Sequence, residues 1–215
     1  MTASNLPERL LPAFRRAGET LLACRCNNSH SGNLSVRCGD DVVITRTGAM
    51  LGTLASDDLV VVPLERAGAE RRDASSELPV HLAVYARTPH TAVAHGHALW
   101  AVLAGWLTDE VVPIDVEGAY YYARIPVVEC VPATASPVTG QAVAAALADT
   151  PVVIVRGHGV FAAGESLERA MQRITSVDNS ARLYVEARRA GLDVRALAQR
   201  PYLDFGGRGS GGTDR

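Results

Sequence analysis

The stretch TAVAHGHALWAVLAGWL, residues 91–107, changes its periodicity half-way along. TAVAHGHA (91–98) reads as a strand entering a loop, and near Leu99 to Leu107 apolar residues resume as a helix. The chain on either side keeps that mixture. Residues 7–24 (PERLLPAFRRAGETLLAC) are apolar at Leu10, Phe14, Ala17, Leu21 and Leu22, a helical stripe behind an early proline. NLSVRCGDDVVITRTG (33–48) alternates and turns at Gly39-Asp40, the pattern of a hairpin, and LVVVP (59–63) adds a short strand. SSELPVHLAVYAR (75–87) predicts a helix with serines placed to cap it, Pro79 in its first turn, and Leu82, Tyr85 and Ala86 along one side. IPVVECV (125–131) and PVVIVRGHG (151–159) read as strands, with GQAVAAALAD (140–149) as the helix between them. A long helix begins near Ser166, with Leu167, Met171, Ile174, Ala181 and Tyr184 at near-helical spacing. The sum is an α/β sheet covered by helices.

At 215 residues and 47% hydrophobic, the chain can bury one sizeable core, and no shift in composition divides it. One domain over residues 1–205 is expected, followed by a glycine-rich, disordered tail, GGRGSGGTDR, at 206–215. A formal charge of -2 provides no basic field for a nucleic acid or an anionic membrane, so neither partner is expected. With no signal segment and no long apolar run, a cytoplasmic protein is the default. Cys24, Cys26, Cys38 and Cys130 follow neither a disulfide framework nor C-x-x-C spacing and read as reduced thiols. All 21 basic residues are arginine, which excludes a Schiff-base lysine, a pyridoxal-phosphate anchor and a Walker A lysine. Carbonyl activation here requires a metal.

On a strand, side chains at i and i+2 share a face, so His95 and His97 can present two imidazoles side by side. A third, His158, stands at a strand end among glycines in Arg156-Gly157-His158-Gly159. Three such rings suit a divalent cation, zinc above all, with Mn2+, Co2+ or Fe2+ as alternatives, although lone histidines are more often structural. His81 lies one helical turn beyond Glu77 and reads as a support or packing residue rather than a ligand. Glu77 itself is either a helix-start carboxylate or a chemical group. SGNLS (31–35) and TRTG (45–48) place hydroxyl or amide residues beside glycine at strand boundaries, where backbone N–H groups can cradle a phosphate.

Taken in order, SGNLS, ITRTG, SSE, HGH and RGHG resemble the motifs of the class II aldolase/adducin family, in its fuculose-1-phosphate aldolase-like branch, over residues 7–190. The resemblance implies a three-layer α/β/α sandwich with a mostly antiparallel central sheet, assembled as a C4 homotetramer with active sites between subunits. It implies zinc or a similar ion on His95, His97 and His158, with Glu77 as remaining ligand and acid/base. Asn33, Thr47, Gly48, Ser75 and Ser76 would hold the phosphate of a small phosphorylated sugar. The implied reaction is reversible cleavage of a ketose 1-phosphate to dihydroxyacetone phosphate and an aldehyde through a metal-stabilised enediolate.

Some residues depart from the family pattern. Related aldolases carry a tyrosine proton donor about 19 residues after the H-x-H motif; here Asp115 falls near that place, with Glu117 and Tyr120 to Tyr122 downstream, so Asp115 and Tyr122 are the candidates. Arg46 replaces the commoner proline of T-P-x-G and either adds charge to the phosphate pocket or faces solvent. Tyr202 is a candidate for aldehyde specificity. Alternatives on the same fold are decarboxylation of a 3-oxo sugar-acid phosphate and epimerisation of a ribulose phosphate. A non-enzymatic adducin-like protein conflicts with the complete His/His/His/Glu set, and a cupin-like iron dioxygenase with the clear helices and the lack of a glutamate soon after His97.

Overall fold

The computed structural model describes residues 6–64 and 73–204. The expected tail at 206–215 lies outside them. Helix α1 (Leu6–Ala23) leads into the hairpin β1 (Asn33–Cys38) and β2 (Asp41–Thr45), then β3 (Leu59–Pro63). Helix α2 (Leu78–Arg87), β4 (Ala92–Gly96) and α3 (Leu99–Leu107) follow. The second half holds β5 (Glu110–Val111), α4 (Val116–Tyr121), β6 (Ile125–Val128), α5 (Pro137–Asp149), β7 (Val152–Val155), β8 (Gly159–Gly164), α6 (Leu167–Arg189) and α7 (Val194–Ala198).

The strands form one eight-stranded sheet in the order β3-β2-β1-β4-β8-β7-β6-β5. Only β6 and β7 run parallel; every other pairing is antiparallel. Strict alternation sorts the side chains between its two faces. Val43, Ala92, Ala94, Val152, Ile154, Val160 and Ala162 point into one core with α1, α3 and α6. Their neighbours Val42, Ile44, Val93, Val153, Val155, Phe161 and Ala163 point into the other, against α2 and α5. Central strands buried on both faces read as continuous apolar runs, which is why VVIV and VFAAG show no polar alternation. The three-layer α/β/α sandwich is therefore present, with a mostly antiparallel sheet.

Three local expectations are corrected. The serines before α2 do not cap it: Glu77 occupies the N-cap, its side chain makes no capping bond, and Ser75 Oγ instead accepts the Glu77 N–H at 3.3 Å. Pro79 lacks an N–H, and Leu78 N donates to Ser75 O at 3.0 Å, so the turn closes through the backbone and leaves the Glu77 carboxylate free to turn elsewhere. On α2 the buried side is Leu78, Val80, His81, Val84 and Tyr85, while Ala86 faces outward. On α1, Leu22 is half exposed because the core takes Phe14, Ala17, Gly18 and Leu21. All four cysteines are free thiols. No described helix is long and apolar enough to cross a membrane.

Candidate metal centre

The sheet order places the end of β4 next to the β7–β8 turn. Gly96 pairs with Val160 and His95 with Phe161, while on the other side Asn33 of β1 lies opposite His95. Residues 156–158 bridge Val155 and Gly159 as a tight hairpin turn, with Gly157 at φ +71°, a conformation that favours glycine. His158, carried by that turn, is thereby brought against His95. Gly159 allows the approach: a Cβ there would lie 2.5 Å from Gly96 O and 2.9 Å from His95 Cε1.

The three rings meet through their Nε2 atoms. His95 Nε2 is 3.2 Å from His158 Nε2 and 3.1 Å from His97 Nε2. His95 Nδ1 lies 3.0 Å from Val160 O, an acceptor only, so Nδ1 carries the proton and Nε2 presents a lone pair to its neighbours. Phe161 stacks on the His95 ring at 4.1 Å between centroids and holds its plane. Asn27 Oδ1 accepts the His97 N–H at 2.8 Å, fixing the chain where it leaves β4. Burial pushes His95 well below the usual histidine range, reinforced by His158 and His97, and pushes His97 down to about 4, reinforced by His158. Both rings are neutral near pH 7, the form in which imidazole binds metal.

Glu77 lies beside the three rings. It is 3% exposed, and its Oε1 lies 3.8 Å from His158 Nε2. The Thr134 hydroxyl and, at 3.2 Å, the Ala135 N–H donate to Oε1. Oε2 is buried without a hydrogen-bond partner, an arrangement costly for a carboxylate unless something electropositive meets it. The donor set fits a divalent ion: tetrahedral Zn–N bonds of about 2.0–2.1 Å would set ligand nitrogens about 3.3 Å apart, close to the separations seen here. Among the described residues, His95, His97 and His158 are the group whose ligand atoms converge within 4.8 Å.

The same cavity, of about 260 Å³, continues from the histidines to Asn33, Thr47, Gly48, Ser75 and Ser76. The structure thus gathers every proposed metal and phosphate residue into one space. Among the described residues the Gly48 and Ser76 N–H groups make no hydrogen bond, whereas Thr47 donates its N–H to Asp73 O and its hydroxyl to Ala74 O at 2.7 Å. Arg46 is largely exposed and borders the cavity, but its Nε donates to Asp58 Oδ1 at 2.6 Å, so its guanidinium is paired within the protein, a partner that neither expectation included.

Asp115 and Tyr122 are elsewhere. Asp115 caps α4, accepting from Gly118 N at 2.8 Å and from the Ser180 hydroxyl at 2.8 Å. Tyr122 is 3% exposed, and its hydroxyl donates to Arg173 O at 3.4 Å; burial raises its pKa. Neither lines the cavity, and Tyr202 is exposed on the turn Pro201–Leu203. Sequence reading missed Thr134 and His30, which line the cavity, and Ala135 and Asn27, which hydrogen-bond Glu77 and the His97 backbone. A loop threonine with no motif around it carries no local signal, because its importance comes from the strand order alone.

The profile of the Class II Aldolase and Adducin N-terminal domain matches residues 14–185. The chain belongs to the class II aldolase/adducin family. A methylthioribulose-1-phosphate dehydratase of Acidiphilium cryptum is 32% identical over 168 residues, 69% of this chain and 76% of that protein. An L-fuculose phosphate aldolase of Methanocaldococcus jannaschii is 29% identical over 153 residues, 71% of this chain and 82% of that one. Among solved structures, L-fuculose-1-phosphate aldolase from Thermus thermophilus superposes with a TM-score of 0.81 at 34% identity, covering 86% of this chain and 96% of that one. These class II aldolase/adducin relatives catalyse more than one reaction, so membership defines the chemistry more coarsely than a single substrate.

Proposed function

We propose that this class II aldolase/adducin protein is a metal-dependent aldolase that reversibly cleaves a ketose 1-phosphate to dihydroxyacetone phosphate and an aldehyde. The observation that carries the reading is the convergence of three Nε2 atoms beside a buried carboxylate whose second oxygen has no partner, in the cavity that also holds free N–H donors. A divalent cation, zinc foremost, would be held by His95, His97, His158 and Glu77 and would supply the Lewis acid that a lysine-free chain needs to draw charge from a carbon next to a carbonyl.

The chain's own groups do the rest. Asn33, Thr47, Gly48, Ser75 and Ser76 bind the phosphate, chiefly through the Gly48 and Ser76 N–H groups and the Ser76 hydroxyl. This anchors one end of the substrate with its carbonyl toward the histidines. Glu77 moves the proton at substrate C3, removing it from dihydroxyacetone phosphate in synthesis and returning it in cleavage. Thr134 and Ala135 fix one oxygen of that carboxylate, so the other keeps a single direction.

The aldehyde oxygen needs its own proton. With Asp115 engaged in capping and Tyr122 buried, the exposed proton-bearing side chains of this segment are Glu117 and Tyr120. A C4 homotetramer with sites between subunits would bring this segment to a neighbour's cavity. Supporting it, α3 leaves Leu99, Leu103, Trp106 and Leu107 exposed along one helix, an apolar surface that a neighbouring copy would cover.

A second reading passes through the same type of carbanion by a different bond: loss of carbon dioxide would form it, and loss of a neighbouring hydroxyl as water would consume it. The Acidiphilium relative, named a dehydratase, favours loss of water. Zinc-loaded protein incubated with a panel of ketose 1-phosphates should release dihydroxyacetone phosphate, detected by coupled reduction. Release of carbon dioxide from 3-oxo acid phosphates, or of water from a 1-phosphoketose, with no dihydroxyacetone phosphate from any substrate, would replace the aldolase reading.

A further inference from the structure

Beneath the phosphate end of the cavity runs a buried chain of four side chains linking α2 to β1. Tyr85 OH lies 2.7 Å from Ser35 Oγ, Ser35 Oγ lies 2.6 Å from His81 Nδ1, and His81 Nε2 lies 2.6 Å from Asn33 Oδ1. Ser35 and His81 have no exposed surface, and Tyr85 is 3% exposed. From the structure we infer that His81 is a positioning residue: as the Nε2–H tautomer it holds Asn33 Oδ1 and thereby turns the Asn33 Nδ2 donors into the anion end of the cavity.

The direction of the chain follows from counting donors. Burial pushes His81 down to about 3, so the ring is neutral and carries one proton. If that proton is on Nε2, it is donated to Asn33 Oδ1, the Ser35 hydroxyl donates to Nδ1, and the Tyr85 hydroxyl donates to Ser35 Oγ. Every hydrogen has an acceptor. If the proton is on Nδ1, Ser35 must donate to Tyr85, and the phenol hydrogen is left over. Asn33 Oδ1, an acceptor only, faces Nε2 at 2.6 Å and likewise calls for the proton there. An unsatisfied buried hydroxyl costs about 1–3 kcal/mol, a strong bias for one tautomer.

The consequence falls on Asn33, which lines the cavity. An amide presents either an acceptor or two donors to a ligand. With Oδ1 held from below by His81, the face toward Gly48 and Ser76 is the donor face, which attracts a phosphate oxygen; the flipped amide would repel it. His81 acts through Asn33 and touches no substrate. This deepens the phosphate-pocket reading and rests on it for its functional meaning, but the tautomer itself can be read without any substrate.

The test is a long-range 1H–15N correlation spectrum of the zinc-loaded protein with 15N-labelled histidine, the His81 signals assigned by their loss in His81→Gln. The inference expects the Nε2–H pattern with Nδ1 unprotonated, unchanged on adding inorganic phosphate; the Nδ1–H pattern would overturn it. In parallel, calorimetry with inorganic phosphate should show weaker binding in His81→Leu by roughly tenfold or more, with partial rescue in His81→Gln, whose amide N–H can still donate to Asn33, and unchanged zinc content in both. Equal affinity in wild type and His81→Leu would also overturn it. If wild-type protein shows the Nε2–H tautomer but binds no phosphate, the phosphate pocket fails while the orientation of Asn33 stands.

Discussion

The Nδ1–H of His95 is held by Val160 O at 3.0 Å, across the β4–β8 pairing, so a backbone carbonyl decides which nitrogen of the ring faces His97 and His158. Such a carbonyl cannot be mutated away, and it would give the ring a fixed tautomer before any ion arrived. Replacing His95, His97 or His158 singly by alanine is expected to abolish stoichiometric zinc after gel filtration, read by elemental analysis. A variant that kept one zinc per chain would remove that ring from the ligand set.

Glu77→Gln keeps the shape of the side chain but removes its charge and its ability to accept a proton. Turnover should fall by about three orders of magnitude or more, in line with loss of a general base together with weakened metal binding. Thr134→Val takes away one hydrogen bond to the carboxylate, a contact to a charged group worth about 1.5–3 kcal/mol, hence roughly ten- to hundredfold in kcat. An unaltered kcat for T134V would mean that Ala135 alone suffices.

Gly159→Ala should be among the most damaging single-methyl changes in the protein. The added carbon would press on Gly96 O and on His95 Cε1 at once, and the first of these is backbone in a central strand. Overpacking of this kind costs about 1–3 kcal/mol, so thermal denaturation should begin several degrees lower and zinc affinity should drop with it. A normal melting curve with normal zinc content would show that β4 and β8 can separate more easily than their pairing implies.

Acid should destabilise the metal-free protein through its buried rings. His81 falls from 6.5 to about 3 on folding, so between those values the unfolded chain takes up a proton that the fold refuses, and stability decreases as pH falls through that window. Its contribution between about pH 7 and pH 5 is on the order of 2 kcal/mol, and the depressed His95 and His97 act in the same direction. Urea titrations of chelator-treated protein across that range measure the slope, which His81→Gln should flatten. A pH-independent midpoint would contradict the buried, neutral state of these groups.

If the exposed side of α3 is a subunit contact, Trp106→Asp should shift sedimentation from a tetramer to a smaller species while leaving zinc content intact. Activity should be lost with the assembly, because the aldehyde proton donor would come from a neighbour. A fully active monomer would place every catalytic group within one chain.

Much of this arrangement is legible in the sequence because it is written in local patterns. The strand-to-helix change at residues 91–107 and the Gly39-Asp40 turn are short-range signals, and each appears in the structure where the pattern puts it; His97 lies just past the end of β4, yet its ring still meets that of His95. What cannot be read is what depends on pairing between distant segments. Strand β8 stays hidden because VFAAG is small and apolar throughout, as expected of a strand covered on both faces. Thr134 meets Glu77 across 57 positions, and Ser35 meets Tyr85 across 50, with no periodicity to announce either contact. Asp115 and Tyr122 stand out only by their distance along the chain, and the packing of α4 against α6 gives both of them partners away from the cavity.

In the sheet β4 is flanked by β1 and by β8, the latter more than sixty residues later in the chain, and not by the strand that follows it. A growing polypeptide that has emerged only as far as α5 already carries Glu77, His95 and His97 but lacks His158. A cation held by all four groups would therefore have to wait until the last hairpin slots in beside β4, and its loading would report that the sheet is complete.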